Sequence, residues 1–191
     1  MTLLLALLIA NLPQPQLPEA QVTPIATGSD PRSQRPWVIS FELGWNGLAG
    51  VGAVVARHLD PHFTIEAGIG ISAEAAKLGA RARWNFSLRE WTPFLGAGFL
   101  YGTGFGDFSQ TGDSGRPFTY SIGPSPYLQF VAGFEYQGLG GFNFLAAAGY
   151  ARLLQRNLRI LNGSPTEDDL APLRIATGSG PVLSVAFGYA F

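Results

Sequence analysis

Six charged residues carry the chemistry this chain could perform. Read with a period of two, Glu42, Glu66, Lys77, Arg81, Arg83 and Glu135 fall on the small-residue face of four alternating segments. Asn85, Gln129 and Asn143 share that face. Three carboxylates balance three cations, and charges withdrawn from water must pair or they are very costly. Two chemistries suit such a set. One is a structural ion-pair plug, which is the expectation. The other is a gated pore whose charges exchange partners.

Nucleophilic chemistry is poorly supplied. The chain has no cysteine, which excludes a disulfide, a thiolate metal site and a cysteine nucleophile. Its two histidines, His58 and His62, flank Asp60-Pro61, and no His-x-Ser pair or Gly-x-Ser-x-Gly elbow accompanies them. The i, i+4 spacing of these histidines would suit zinc on a helix, but a proline turn separates them. They are expected to be solvated turn residues. Gly102-Thr-Gly-Phe-Gly106 lacks the lysine and helix of a phosphate loop. Glu167-Asp-Asp169 is expected to be a solvated loop, and Asn162-Gly-Ser164 is a sequon of little weight. No cofactor, metal site or catalytic residue is expected, nor is a nucleic-acid partner at a net charge of −1.

The elements that must position these residues are strands. Charged residues make up 13% of the 191, about half the usual share of about 25%, yet no apolar run reaches the length of a spanning helix. Residues 2–10 form a short apolar run that fits a secretory signal, so 1–20 is expected to be a signal peptide. Residues 21–36, rich in proline and glutamine, are expected to be a disordered linker.

From Trp37 the alternation begins. Eight strands are expected, near 37–46, 50–59, 62–72, 76–87, 91–102, 125–137, 142–151 and 181–191. Each has a bulky apolar face and a face of glycine, alanine and polar residues. Asn46-Gly47 marks a tight turn between the first two strands. The register of the second is the least determined, because its parity sends Arg57 to the apolar side. Pro93 is expected at a strand end, since it cannot donate to a ladder. Residues 103–124 and 152–180 are expected to be long loops on one side, with short turns on the other.

Volume decides which face is inside. Eight strands enclose a space only just wide enough for side chains to fill it. It could not hold the tryptophans, phenylalanines, leucines and isoleucines, but could hold the small and charged set. The apolar face therefore points outward, into lipid. Trp45, Tyr101 and Tyr150 lie toward one edge of that belt, and Phe63, Trp84, Trp91 and Phe142 toward the other, as aromatic rings at two interfaces would.

The chain resembles the eight-stranded outer-membrane barrels of the OmpA transmembrane-domain and OmpX type over residues 37–191. The most specific element is the last strand, whose Phe187, Tyr189 and Phe191 look like the C-terminal signal read by the outer-membrane assembly machinery. The resemblance implies an all-β, eight-stranded antiparallel up-and-down transmembrane barrel in a bacterial outer membrane, in contact with membrane lipids and lipopolysaccharide. No appended peptidoglycan-binding domain is expected, so a cell-wall tethering role is not expected either. Some barrels of this kind deacylate lipid A or transfer palmitoyl groups, but no His-x-Ser pair occurs in this chain, and His58 and His62 lie at the end opposite to the deacylase site, so no enzymatic activity is expected. The expected function is a non-enzymatic barrel with a plugged polar lumen, in a structural or surface-interaction role through 103–124 and 152–180. A narrow porin-like channel for small solutes or ions is the alternative.

Overall fold

The computed structural model describes residues 30–112, 115–155 and 157–191. The expected signal peptide and the first part of the expected linker lie outside them. Eight strands close into an antiparallel barrel: β1 (Trp37–Trp45), β2 (Val51–His58), β3 (Phe63–Ser72), β4 (Ala75–Asn85), β5 (Trp91–Gly102), β8 (Ser125–Gln137), β9 (Phe142–Leu153) and β11 (Gly180–Ala190). Each pairs with its neighbour in this order, and β11 pairs with β1. The closing seam is completed by Trp37 N–H to the Phe191 carbonyl and Phe191 N–H to the Trp37 carbonyl, at 3.2 and 2.8 Å. Closure leaves the wall no free edge to aggregate.

Alternation sets which side chain faces where. In β3, Ile65, Ile69 and Ile71 are exposed outside, while Thr64 and Glu66 are buried inside. The register of β2 is the one its apolar residues favour: Val51, Ala53 and Val55 point out, and Arg57 follows them. Arg57 sits at the strand's end with its guanidinium over the Trp37 ring, 5.1 Å from the centroid. Across the eight strands only Arg57 and Arg152 bring charge to the outer wall, one near each rim.

Pro93 is the third residue of β5, not its end. Its carbonyl accepts from Phe86 N–H at 3.0 Å, so its nitrogen faces the same side, beyond the last residue of β4. The one bond proline cannot donate, back to the Phe86 carbonyl, falls past the last residue of β4, and the ladder with β8 loses none.

The described residues of the expected long loops form regular elements. β6 (Phe105–Thr111), β7 (Pro117–Ile122) and β10 (Leu158–Asn162) form a second sheet with β7 at its centre. A helix from the last connection, α2 (Glu167–Thr177), covers one face of it. Phe118, Tyr120 and Ile122 of β7 pack on Leu170, with Phe105, Leu158 and Leu173 around them. The helix starts at a capping box: Thr166 Oγ1 accepts from Asp169 N–H, and the Asp169 carboxylate accepts from Thr166 N–H. Two separated stretches thus share one small core, the cap, and Glu167-Asp-Asp169 is the first turn of its helix rather than a loop.

The expected linker also ends earlier than residue 36. Pro31–Gln34 is a helical turn, α1, capped by Asp30, whose carboxylate accepts from the N–H groups of Arg32 and Ser33. Proline at the first helical position needs no donor, and Asp30 supplies the acceptor.

Candidate functional site

The barrel's interior is the candidate site. It is filled in four layers from the short-turn end to the cap. The first is α1, whose Arg32 is fully buried. Arg32 Nε donates to Glu135 Oε2 at 3.3 Å, and Nη1 donates to the carbonyls of Ser87 and Arg89. His58 lies beside this layer. It is buried, with Nδ1 2.7 Å from Thr64 Oγ1 and Nε2 2.8 Å from Gln137 Oε1. This corrects the expectation of a solvated histidine: His58 is the last residue of β2, and the parity that sends Arg57 outward turns it into the lumen, where Thr64 and Gln137 take both ring nitrogens. His62 does sit at the turn, stacked on Trp84 at 5.6 Å.

The second layer is an ion-pair ladder. Arg81 Nε is 2.5 Å from Glu66 Oε2, and Arg83 Nε is 2.8 Å from Glu66 Oε1. Arg83 Nη2 donates to Glu135 Oε1 at 3.1 Å, as does Asn143 Nδ2. β3, β4, β8 and β9 supply these groups. Glu66 and Arg81 are direct cross-strand partners, while Arg83 spans the lumen from β4 to β8. Arg83 also lies over the Phe94 ring at 4.7 Å. A cavity of about 10 Å³ remains among these side chains, room for about one water.

The third layer is backbone. Residues 46–50 do not make a tight turn over the rim; they fold into the lumen. Asn46 and Gly50 adopt positive φ, 53° and 72°, which bends the chain inward, and Leu48 and Ala49 become fully buried. Ala49 N–H donates to Glu42 Oε2 at 2.6 Å, and Gln129 Nε2 donates to the Asn46 carbonyl at 2.8 Å. Glycines make the space: a Cβ on Gly79 would lie 2.5 Å from the Leu48 carbonyl oxygen.

The fourth layer joins barrel to cap. Glu74, in the β3–β4 connection, is buried and accepts from Tyr127 O–H at 2.8 Å and from Ser72 O–H. Tyr127 O–H also lies 2.6 Å from the Thr177 carbonyl at the end of α2, which accepts from Asn157 Nδ2 at 2.9 Å. Lys77 is buried nearby, with Nζ 5.6 Å from the Tyr127 ring centre.

Of the six lumen charges expected from sequence, Glu66, Arg81, Arg83 and Glu135 come together in one ladder. Glu42 instead holds the inward loop, and Lys77 lies in the uppermost layer under the cap. Arg32 and Glu74 were missed. Both lie outside the strands, where face parity says nothing. Asp30-Pro31 is a helix-start signal that would have flagged α1 and so Arg32. Nothing comparable marks Glu74. Among the described residues, no three histidine, aspartate or glutamate side chains converge as metal ligands would. Phe187, Tyr189 and Phe191 lie half-exposed on the outer wall at the short-turn end, Phe187 against Phe144 and Tyr189 beneath Arg35.

No protein-family model and no curated protein sequence matches the chain. Among solved structures, the N-terminal β-barrel domain of Pseudomonas aeruginosa OprF is similar at 12% identity and a TM-score of 0.44, covering 81% of this chain and 98% of that one. Acinetobacter baumannii CarO is similar at 14% identity and a TM-score of 0.41, covering 82% and 98%. The barrel described above rests on this chain's own strand pairing.

Proposed function

We propose that this chain is an outer-membrane β-barrel that does not conduct and does not catalyse, and that it holds an ordered cap outside the cell as a platform for a surface ligand. The observation that carries the membrane reading is the outer wall. Its outward positions are apolar or small from rim to rim, with one arginine near each end. Ile69, Phe130 and Leu183 are each more than 60% exposed. A soluble protein rarely presents an apolar patch beyond a few hundred Å², whereas this one encircles the molecule. Trp37 to Trp45 spans about 27 Å along β1, or about 20 Å of height at the usual tilt, close to a membrane barrel's apolar band. The lipid contacts are then acyl chains around the belt, with lipopolysaccharide at the cap-side rim near Arg152.

The closed lumen is supported by the four filled layers. The cap's two sequence stretches, now one body, are the candidate ligand-binding element. On this reading Phe187, Tyr189 and Phe191 serve the assembly machinery. Phe191→Ala, which keeps the main-chain bonds to Trp37, should lower the folded, membrane-inserted fraction while leaving the purified, refolded barrel intact.

The test is direct. The purified protein should migrate faster unheated than heated on a gel, and brominated lipids should quench its tryptophans. Planar bilayers should show no unitary steps. Steady conductance that Arg81→Ala or Glu66→Ala abolishes would replace the plug with a narrow channel. Modified lipid A in expressing cells would make it an enzyme.

A further inference from the structure

Residues 30–36 touch the barrel as a bound peptide would. They belong to no strand of its wall. Gln137 Nε2 donates to the carbonyls of Pro31 and Arg35, at 3.1 and 3.0 Å, clamping the turn at both ends. Arg35 reaches outward, donating to the carbonyls of Leu139 and Ala190. Between these clamps Arg32 enters the lumen and meets one carboxylate and two main-chain carbonyls, from Glu135, Ser87 and Arg89. Acceptors set apart at Nε and Nη1 of a fully buried group suit the fixed donors of a planar guanidinium better than a compact ammonium, although Nη2 is buried without a partner. The turn that presents Arg32 is set locally by Asp30 and Pro31. Neither depends on the barrel.

We propose that the short-turn mouth of the barrel is a receptor for a guanidinium-bearing peptide turn, and that the chain fills it with its own residues 30–36. The segment is a latch. When it is out, the mouth opens into a vestibule lined by His58, Thr64 and Gln137 that ends at the Glu66–Arg81–Arg83 ladder. This deepens the closed-lumen reading and rests on it for the layers above the ladder. The barrel need not conduct for the latch to open, because residues 46–50 still fill the far half.

The chain has no cysteine, so a single reporter is unambiguous. Thr64 is fully buried, faces His58 directly across β2 and β3, and is linked through it to Gln137, which holds the latch. Thr64→Cys is labelled with a small charged thiosulfonate reagent in the folded, detergent-solubilised protein, with heat-dependent gel migration confirming the barrel. Labelling should be slow. Adding Arg32→Ala should raise its rate about tenfold or more, since three acceptors lose their donor. Arg32→Lys should raise it less. Guanidinium ion, well below denaturing concentration, should slow labelling in Arg32→Ala and leave the Arg32 parent unchanged. Equal rates in parent, Arg32→Ala and Arg32→Lys would overturn the latch, as would failure of guanidinium to slow the alanine variant. Bilayer recordings on the same variants keep the two readings apart. Current through Arg32→Ala would count against the filled upper lumen, whereas the labelling rates alone decide the latch.

Discussion

Glu135 is the residue whose loss should cost the barrel most for its size. Its carboxylate accepts from Arg83 Nη2 and Asn143 Nδ2 at 3.1 Å and from Arg32 Nε at 3.3 Å, and it is about 1% exposed. It is the acceptor shared by α1 and the ladder. Glu135→Met keeps the length of the side chain and removes the charge. The ladder with its capping group holds Asp30, Glu66 and Glu135 against Arg32, Arg81 and Arg83. Three carboxylates face three guanidiniums, so the single change leaves one buried cation in excess. Removing one partner of a buried pair costs about 3–5 kcal/mol, mostly for the charge left behind. Arg83→Met should cost a similar amount, with the opposite sign in excess. The double variant restores balance, two against two, in an apolar space of nearly unchanged volume. It should therefore lose less than the sum of the singles by about 2 kcal/mol or more. Urea unfolding in detergent micelles, followed by the chain's four tryptophans, measures all three. A single variant that costs under about 1 kcal/mol, or a double that costs the full sum, would refute the claim that charge balance in this layer holds the lumen.

Leu48→Ala should destabilise by about 2–5 kcal/mol in the same assay, because Leu48 is fully buried although its position is a turn. Gly79→Val would place its branch against the Leu48 backbone and should expel residues 46–50; hydrogen exchange at Ala49 N–H, held by Glu42, should lose its protection. Leu170→Ala should expose residues 163–179 to protease while heat-dependent gel migration stays unchanged, since the cap has its own core. Burial pushes the Tyr120 phenol above its usual 10, so the cap is favoured fully below that pH and loses this contribution as pH rises through the shifted value. A phenolate absorbance titration of Tyr120→Phe against parent would show the missing late step, and a Tyr120 that titrates with the exposed tyrosines would refute it.

The alternation of Trp37, Ile39, Phe41, Leu43 and Trp45 with small or polar residues, repeated through eight segments, was enough to read the barrel. A strand's period is fixed by backbone geometry, and each segment needs only its own residues to show it. The same parity placed Glu66, Arg81, Arg83 and Glu135 inside and Arg57 outside. It could not say who pairs with whom: that depends on register across strands and on Arg83 crossing from β4 to β8. Nor could it reach residues that enter the lumen without belonging to a strand. Arg32 arrives on a proline-capped turn, Leu48 on an inward loop, Glu74 from a connection. Each is buried because distant segments leave a hole of its shape. The cap was invisible for a related reason, since neither β6–β7 nor β10–α2 has a core until the other is beside it. What the sequence by itself determined is the wall, because the wall follows from local periodicity. What fills and covers it was decided by tertiary structure, because those contacts join residues as far apart as Arg32 and Glu135.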